Sequence, residues 1–228
     1  RVTYYMSLQA NHDGGILDVP KSYSFDNNYN RWLYTFQNNI GYKLTSSTKV
    51  ELRMNAQIIN SKSPGESAAY IFNQIFNNTP VSFPATYPRE KGDKHVRFGS
   101  AVLSSGRYYT NPYAAMLNTY RESNANKLNV SLGIDQKLDF ITKGLSWTAL
   151  VNFNNWSEKY YTRSLSPYLY GYTEGSWNAS QPEEYSISEL QKGTDYISQS
   201  GISRNSDNTF YFDTRVNYDR RFGQHAFT

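Results

Sequence analysis

Residues 127–156 read KLNVSLGIDQKLDFITKGLSWTALVNFNNW. Leu128, Val130, Leu132 and Ile134 alternate with Asn129, Ser131, Gly133 and Asp135. After a turn at Ile141–Leu145, the residues Leu145, Trp147, Ala149, Val151 and Phe153 alternate with Ser146, Thr148, Asn152 and Asn154. Successive side chains on a strand point to opposite faces, so each segment is a strand with one apolar and one polar face. Lys143-Gly144 supplies the positive-φ residue of a tight hairpin. The question for the whole chain is whether the apolar face meets a protein core or lipid.

The same alternation recurs on both sides. Val2, Tyr4, Met6, Leu8 and Ala10 mark a first strand, and a second runs from about Tyr29 to Leu44, with Asn38 breaking its apolar face. Val50, Leu52, Met54, Ala56 and Ile58 mark a third, and Phe210, Phe212, Val216 and Tyr218 a sixth, with a turn after it leading into a seventh. Between these lie two long excursions. In residues 60–126, Ser63-Pro64-Gly65-Glu66 reads as a capping box ahead of a short amphipathic helix carrying Ile71, Phe72, Ile75 and Phe76. Asn111–Leu117 reads as a second helix, and in residues 159–208 a third is expected near Ser186–Gln191.

The connections alternate long, short, long, short. In an up-and-down sheet this gathers the long loops at one end and the tight turns at the other, as in outer-membrane barrels. Every complete strand reaches the roughly 9–11 residues that span a bilayer. Tyr29, Trp32, Trp156, Tyr160, Tyr161 and Phe210 near the long loops, and Tyr42, Phe140, Trp147, Tyr218 and Phe222 near the turns, are expected to form two aromatic girdles. The competing class is a soluble β-sandwich or carbohydrate-binding β-domain, whose strands average about 5–6 residues.

Composition agrees with this reading. The 228 residues include 21 Tyr, 12 Phe and 4 Trp but no Cys, which excludes a disulfide scaffold and a thiolate metal site. No run approaches the roughly 20 apolar residues of a membrane helix. The net charge of +4 comes from scattered lysines and arginines, so no nucleic-acid partner is expected.

Three motifs carry a family resemblance. Residues 140–146, FITKGLS, resemble the recurrent "ItkGLs" turn of SusC/RagA-type TonB-dependent outer-membrane transporters; residues 111–114, NPYA, resemble the "NPya" segment of the loop before that hairpin. Residues 218–225, YDRRFGQH, are similar to the family's strand-ending "Y.r.Fg.H" turn, and Leu44-Thr45 through Thr48 to its "lT..t" turn. Order and spacing match over nearly all of residues 1–228. The resemblance implies an all-β fold: part of a large antiparallel up-and-down transmembrane β-barrel, of the 22-stranded plugged type, with long extracellular loops carrying short helices. It implies import of oligosaccharides or peptides across the outer membrane of a Gram-negative bacterium, with a SusD-like surface lipoprotein as lid and TonB as energy source. This chain would be one partial barrel of about six and a half strands, without the plug or the segment that contacts TonB. A passive porin-like barrel is the remaining alternative.

No catalytic constellation is present, and the chain is not expected to be an enzyme. His12, His95 and His225 lie in separate connections without metal-ligand spacing. Asp135 and Asp139 are about 13 Å apart along a strand, beyond the roughly 5–9.5 Å of glycosidase pairs. Glu183 and Glu184 are adjacent loop residues. Asp13-Gly14-Gly15 with Asp18 is read as a polar turn ahead of a calcium loop. There is no nucleophile elbow or phosphate loop, and no cofactor is implied. Recognition is the chemistry expected: Tyr108, Tyr109 and Tyr113 crowd the first excursion, and Tyr168, Tyr170, Tyr172 and Trp177 the second. Their flat faces and polar edges suit a sugar ring or a peptide.

Overall fold

Six long strands form one antiparallel meander. The computed structural model describes residues 1–16, 19–21, 23–79, 81–173, 180, 185–223 and 225–227. In chain order the elements are β1 (Val2–Gly14), β2 (Asn30–Lys43), β3 (Thr48–Pro64), α1 (Ala68–Asn77), β4 (Thr86–Tyr87), β5 (Arg97–Gly99), α2 (Pro112–Leu117), β6 (Thr119–Lys137) and β7 (Leu145–Ser164). They continue with β8 (Tyr168–Tyr172), β9 (Ile187–Gln191), β10 (Ser198–Gln199), β11 (Ser203–Tyr218), β12 (Arg220–Phe222) and β13 (His225–Phe227). The sheet order is β1-β2-β3-β6-β7-β11, with β10 extending the β11 edge along β7. The sheet is open at β1 and β11, and no closed barrel forms among the described residues.

Register places like with like. The row Tyr4–Ile40–Leu52–Leu132–Val151–Phe212 crosses all six strands and is apolar throughout. The next row, Tyr5–Asn39–Arg53–Ser131–Asn152–Tyr211, belongs to the other face and is mostly polar. Among the described residues none forms a layer over the apolar face: Tyr4 is 82% exposed, Leu8 78% and Phe210 68%. On the polar face Asn129 Nδ2 donates to Asn154 Oδ1, Asn154 Nδ2 to Asn152 Oδ1 at 2.7 Å, and Asn152 Nδ2 to Ser131 Oγ at 2.6 Å. Grooves of about 730, 400 and 310 Å³ are lined by polar-face residues such as Gln37, Asn39, Glu51, Arg53, Asn129 and Asp213, so that face is the concave one.

The apolar band is slanted against the rows. Its last member toward the long connections is Trp32 on β2, Ile58 on β3, Leu128 on β6, Phe153 on β7 and Phe210 on β11. Trp32 faces Asn60 rather than Ile58, Ile58 faces Asn126, and Leu128 faces Asn155, so the edge drops two residues at each of three steps. Phe153 and Phe210 share a row that leads back to Met6 on β1, where the band itself runs on to Ala10 or His12. A descent of roughly four to six residues over five strand steps, at about 3.3 Å per residue and 4.8 Å between strands, equals a tilt of about 30–40°. The band occupies residues 50–58 on β3, 145–153 on β7 and 210–218 on β11, which is about 22 Å of height at that tilt.

The tight turns and long connections segregate as the sequence predicts. Residues 44–47, 138–144 and 219 lie at one end, and the described residues of the connections 15–29, 65–118 and 165–202 at the other. The buried core sits wholly at the long-connection end. Val19, Val96, Phe98, Ala114, Leu117 and Leu169 form one cluster, and Tyr87, Tyr168 and Tyr170 another. They are held by a second sheet, β4-β5-β8-β9, in which β5 of one connection pairs in parallel with β8 of the other. Asn27 ties the first connection into this cap, its Nδ2 donating to Leu117 O at 2.7 Å and Met116 O at 2.9 Å, carbonyls of the last turn of α2.

Four local expectations are corrected. Ser63 and Pro64 do not start α1: Pro64 is still paired with Tyr120 and Gly65 N–H donates to Thr119 O, so the chain leaves β3 only there. The N-cap is Ser67, whose side chain accepts from Tyr70 N–H at 3.1 Å. Residues 187–191 are strand β9, because the edge of β8 offers them backbone partners. The β6–β7 hairpin turns through the seven residues 138–144 with Gly144 at φ +86°, rather than the five of Ile141–Leu145, and Leu145 already belongs to β7. Finally, Trp156 shares a row with Lys127 and Asp207, and Tyr160 one with Ser123 and Ser203, so both stand on the polar face and outside any lipid-facing girdle.

Candidate functional site

The cap carries the aromatic residues expected to meet a ligand, and it divides them into two groups. Tyr168 and Tyr170 are alternate residues of β8, on the face opposite Leu169 of the main cluster, and are buried. The His95 ring stacks on Tyr168 at 3.8 Å between centroids, and His95 Nε2 is 3.0 Å from Tyr170 Oη. Arg97 lies 4.9 Å from the Tyr170 ring centre and pairs with Glu90 at 2.5 Å and Asp93 at 2.6 Å. Tyr168 Oη donates to Asp195 at 2.9 Å. These two tyrosines hold the cap together from inside. Tyr113, in the first turn of α2, packs half-buried on the core against Phe98.

Tyr108, Tyr109 and Tyr172 remain accessible. Tyr108 is 37% exposed and, with the half-buried Tyr109, lines a cleft of about 530 Å³. Tyr172 is 53% exposed and meets Tyr87 and Tyr185 edge-on. Trp177 lies outside the described residues, as do Asp18, Glu183 and Glu184.

Electrostatics in the cap are self-contained. The Arg97 guanidinium holds the Glu90 carboxyl below its ordinary range; for Asp93 the Glu90 N–H leads and Arg97 adds to it. Burial pushes the Tyr87 phenol up to about 12 and raises Tyr170, while the bond to Asp195 raises Tyr168. At neutral pH these phenols are neutral donors and the two carboxylates are ionised. Asp13 is paired with Arg31 at 2.8 Å, and Asp139 accepts from Gly144 N–H at 2.9 Å as a turn residue. Among the described residues no group of three His, Asp or Glu is placed to hold a metal ion. The arrangement offers stacking faces, carboxamides and hydroxyls, which is recognition chemistry.

Sequence reasoning missed the asparagines that organise this region. Asn111 is buried at the N-cap of α2. Its Oδ1 accepts from Tyr113 N–H and Ala114 N–H, while its Nδ2 donates to Ala85 O and Gly99 O, both at 2.8 Å. Asn118 closes the same helix. The Asn-Pro pair marks the helix start, but nothing local marks the two distant carbonyls that Asn111 serves. No protein-family model matches this chain, and no curated protein matches it.

Proposed function

We propose that this chain is part of the wall and surface cap of a TonB-dependent outer-membrane nutrient importer of the SusC/RagA kind, taking up oligosaccharides or peptides beneath a SusD-like lipoprotein. The observation that carries this reading is the slanted apolar band. A face that is uncovered, apolar across six strands and about 22 Å tall matches the lipid-facing band of barrels about 25 Å tall. Its drift of about one residue per strand matches the tilt of strands that close into a barrel, which runs to about 35–45°. The concave polar face would line the lumen, and the cap would stand on the cell surface. In this reading the 22-strand barrel is completed by further strands on the free edges of β1 and β11, because lipid does not tolerate unpaired backbone. Capture under a lid is followed by plug displacement driven by TonB, with no covalent chemistry in these residues.

The test is fractionation of cells making the protein, with an antibody against residues 165–202 applied to intact cells. Recovery in the outer membrane with surface labelling is expected. Periplasmic or soluble recovery refutes the barrel and favours a soluble carbohydrate-binding domain. Uptake that persists when the proton gradient is collapsed refutes TonB coupling and favours a passive porin.

A further inference from the structure

Charge on the apolar face is confined to one end. Among the described residues of β1, β2, β3, β6, β7 and β11, that face carries only Lys62, Glu122, Lys159, Arg163 and Arg204 as charged groups, all between the apolar band and the long connections. Its turn end has none. Three of these residues are engaged with neighbours. Tyr161 Oη donates to Glu122, Lys62 Nζ lies 4.5 Å from the centre of the Tyr120 ring, and Arg163 donates to Tyr120 Oη at 2.9 Å and Gln199 Oε1 at 3.1 Å.

Lys159 and Arg204 are not engaged. They are direct cross-strand partners on β7 and β11, both are exposed, and neither side chain has an ion pair or hydrogen bond among the described residues. Like charges directly opposite one another destabilise a strand pair. Asn124, the neighbour of Lys159 on β6, is neutral, and Glu122, the carboxylate of this face, is held by Tyr161. An anion bridging the two side chains turns this repulsion into attraction.

We propose that Lys159 and Arg204 hold a phosphate on the headgroup of a membrane lipid of the lipopolysaccharide type, whose acyl chains lie on the apolar band. The inference rests on the reading of that band as lipid-facing. An arginine fork takes a phosphate through two parallel hydrogen bonds, and a lysine adds a compact point charge. Two cations therefore match a phosphate monoester, which carries a charge of about −1.5 to −2. Height selects the kind of lipid. Six residues separate the pair from Phe153 and Phe210, the last members of the band on their strands, or about 16 Å at a tilt of about 35°. A phospholipid headgroup layer adds only about 5–8 Å beyond the hydrocarbon on each side, so its phosphates lie well below the pair. A phosphate raised on a polysaccharide core reaches it. The pair stands on the opposite face from the polar groove, so this contact is with the surrounding leaflet and not with an imported nutrient.

The test uses the purified full-length protein in a neutral detergent. The probes are rough lipopolysaccharide with core phosphates, the same material stripped of phosphate by hydrogen fluoride, phosphatidylglycerol, and inorganic phosphate. Binding is read by native mass spectrometry and by the melting temperature. The intact lipopolysaccharide is expected to bind and raise the melting temperature, and the stripped material and phosphatidylglycerol to bind at least tenfold more weakly. Replacing both cations, Lys159→Gln with Arg204→Gln, should weaken the intact probe at least tenfold. The lipid-free double variant should keep or raise its melting temperature, because a repulsion is removed. Lys127→Gln, a cation on the polar face, should leave binding unchanged. The proposal is overturned if the stripped material or phosphatidylglycerol binds as tightly, if inorganic phosphate stabilises equally, or if the double variant binds like the parent. Any of these in a protein recovered from the outer membrane overturns this inference alone. Soluble recovery refutes the lipid-facing band and this inference with it.

Discussion

Leu132→Arg tests what covers the apolar face. Leu132 sits in the one row that is apolar on all six strands, with Leu52 and Val151 on either side of it. If lipid covers this face, Leu132 is near the midplane, where an arginine costs about 2–4 kcal/mol. At about 1.4 kcal/mol per tenfold, that is roughly a 30- to 700-fold loss in the folding equilibrium. Asn126 lies on the same strand and face, six residues toward the long connections. At about 3.3 Å per residue and 35° of tilt it is about 16 Å higher, at the edge of a hydrocarbon slab with a half-thickness near 15 Å. Asn126→Arg is therefore expected to cost only about 0–1 kcal/mol. Ser131→Arg, on the polar face, is expected to cost less than about 1 kcal/mol. The assay is urea titration of the protein folded into phosphatidylcholine vesicles, followed by tryptophan fluorescence. Equal costs for Leu132→Arg and Asn126→Arg, or a Leu132→Arg cost below about 1 kcal/mol, would falsify the bilayer argument, because only lipid grades the cost by height.

Three further predictions concern the cap and the hairpin. Phe98, with no solvent exposure, sits at the centre of the main cluster; Phe98→Ala should destabilise the cap by about 3–5 kcal/mol, seen as rapid proteolysis within residues 65–118 while the long strands stay protected. Gly144 combines φ +86° with a site where a Cβ would lie 1.9 Å from Asp219 O. Gly144→Ala should therefore cost more than the roughly 1–2 kcal/mol of the backbone conformation alone and lower folding yield, whereas an alanine at Gly106, also at positive φ but with open space around it, should cost only the backbone part. Cap stability should fall at both pH extremes. The depressed Glu90 and Asp93 carboxyls contribute stability that is present above their unfolded pKa and lost as pH drops through their folded values, below the usual carboxylate range. The raised Tyr87 phenol contributes stability that is lost between its ordinary value of 10 and about 12. Hydrogen exchange of β5 and β8 against pH measures both arms, and a flat profile from pH 3 to 12 would contradict the pairing of Arg97 and the burial of Tyr87.

The six strands were legible because their alternation is written residue by residue, and a strand with an uncovered face needs no distant partner to show its period. Their stagger was not legible. That Trp32 faces Asn60 and not Ile58 follows from pairing between strands, so the slant of the band emerges only with register. The same gap explains Trp156 and Tyr160, whose position near a strand end suggested a girdle while their parity put them on the polar face. The cap was hardest to read. β5 is three residues long, Arg97-Phe98-Gly99, and its parallel partner β8 lies about seventy positions away, beyond any local pattern. Ile187–Gln191 has helix-compatible residues, and the free edge of β8 decides the matter. Of the aromatic candidates, spacing found the right loops but could not separate Tyr168, which is buried on His95, from Tyr108, which lines the cleft.

The separation of the buried core from the long strands has an evolutionary consequence. Among the core residues, those of the two clusters all belong to the connections, and the strands contribute an alternating surface whose faces ask only for apolar or polar character. The two parts therefore accept change under different rules. Strand residues can drift within their class without disturbing recognition, and the connections can be remodelled, lengthened or exchanged as a unit without re-registering the sheet. In the importer proposed above, a lineage meeting a new nutrient could replace the cap and inherit the wall unchanged.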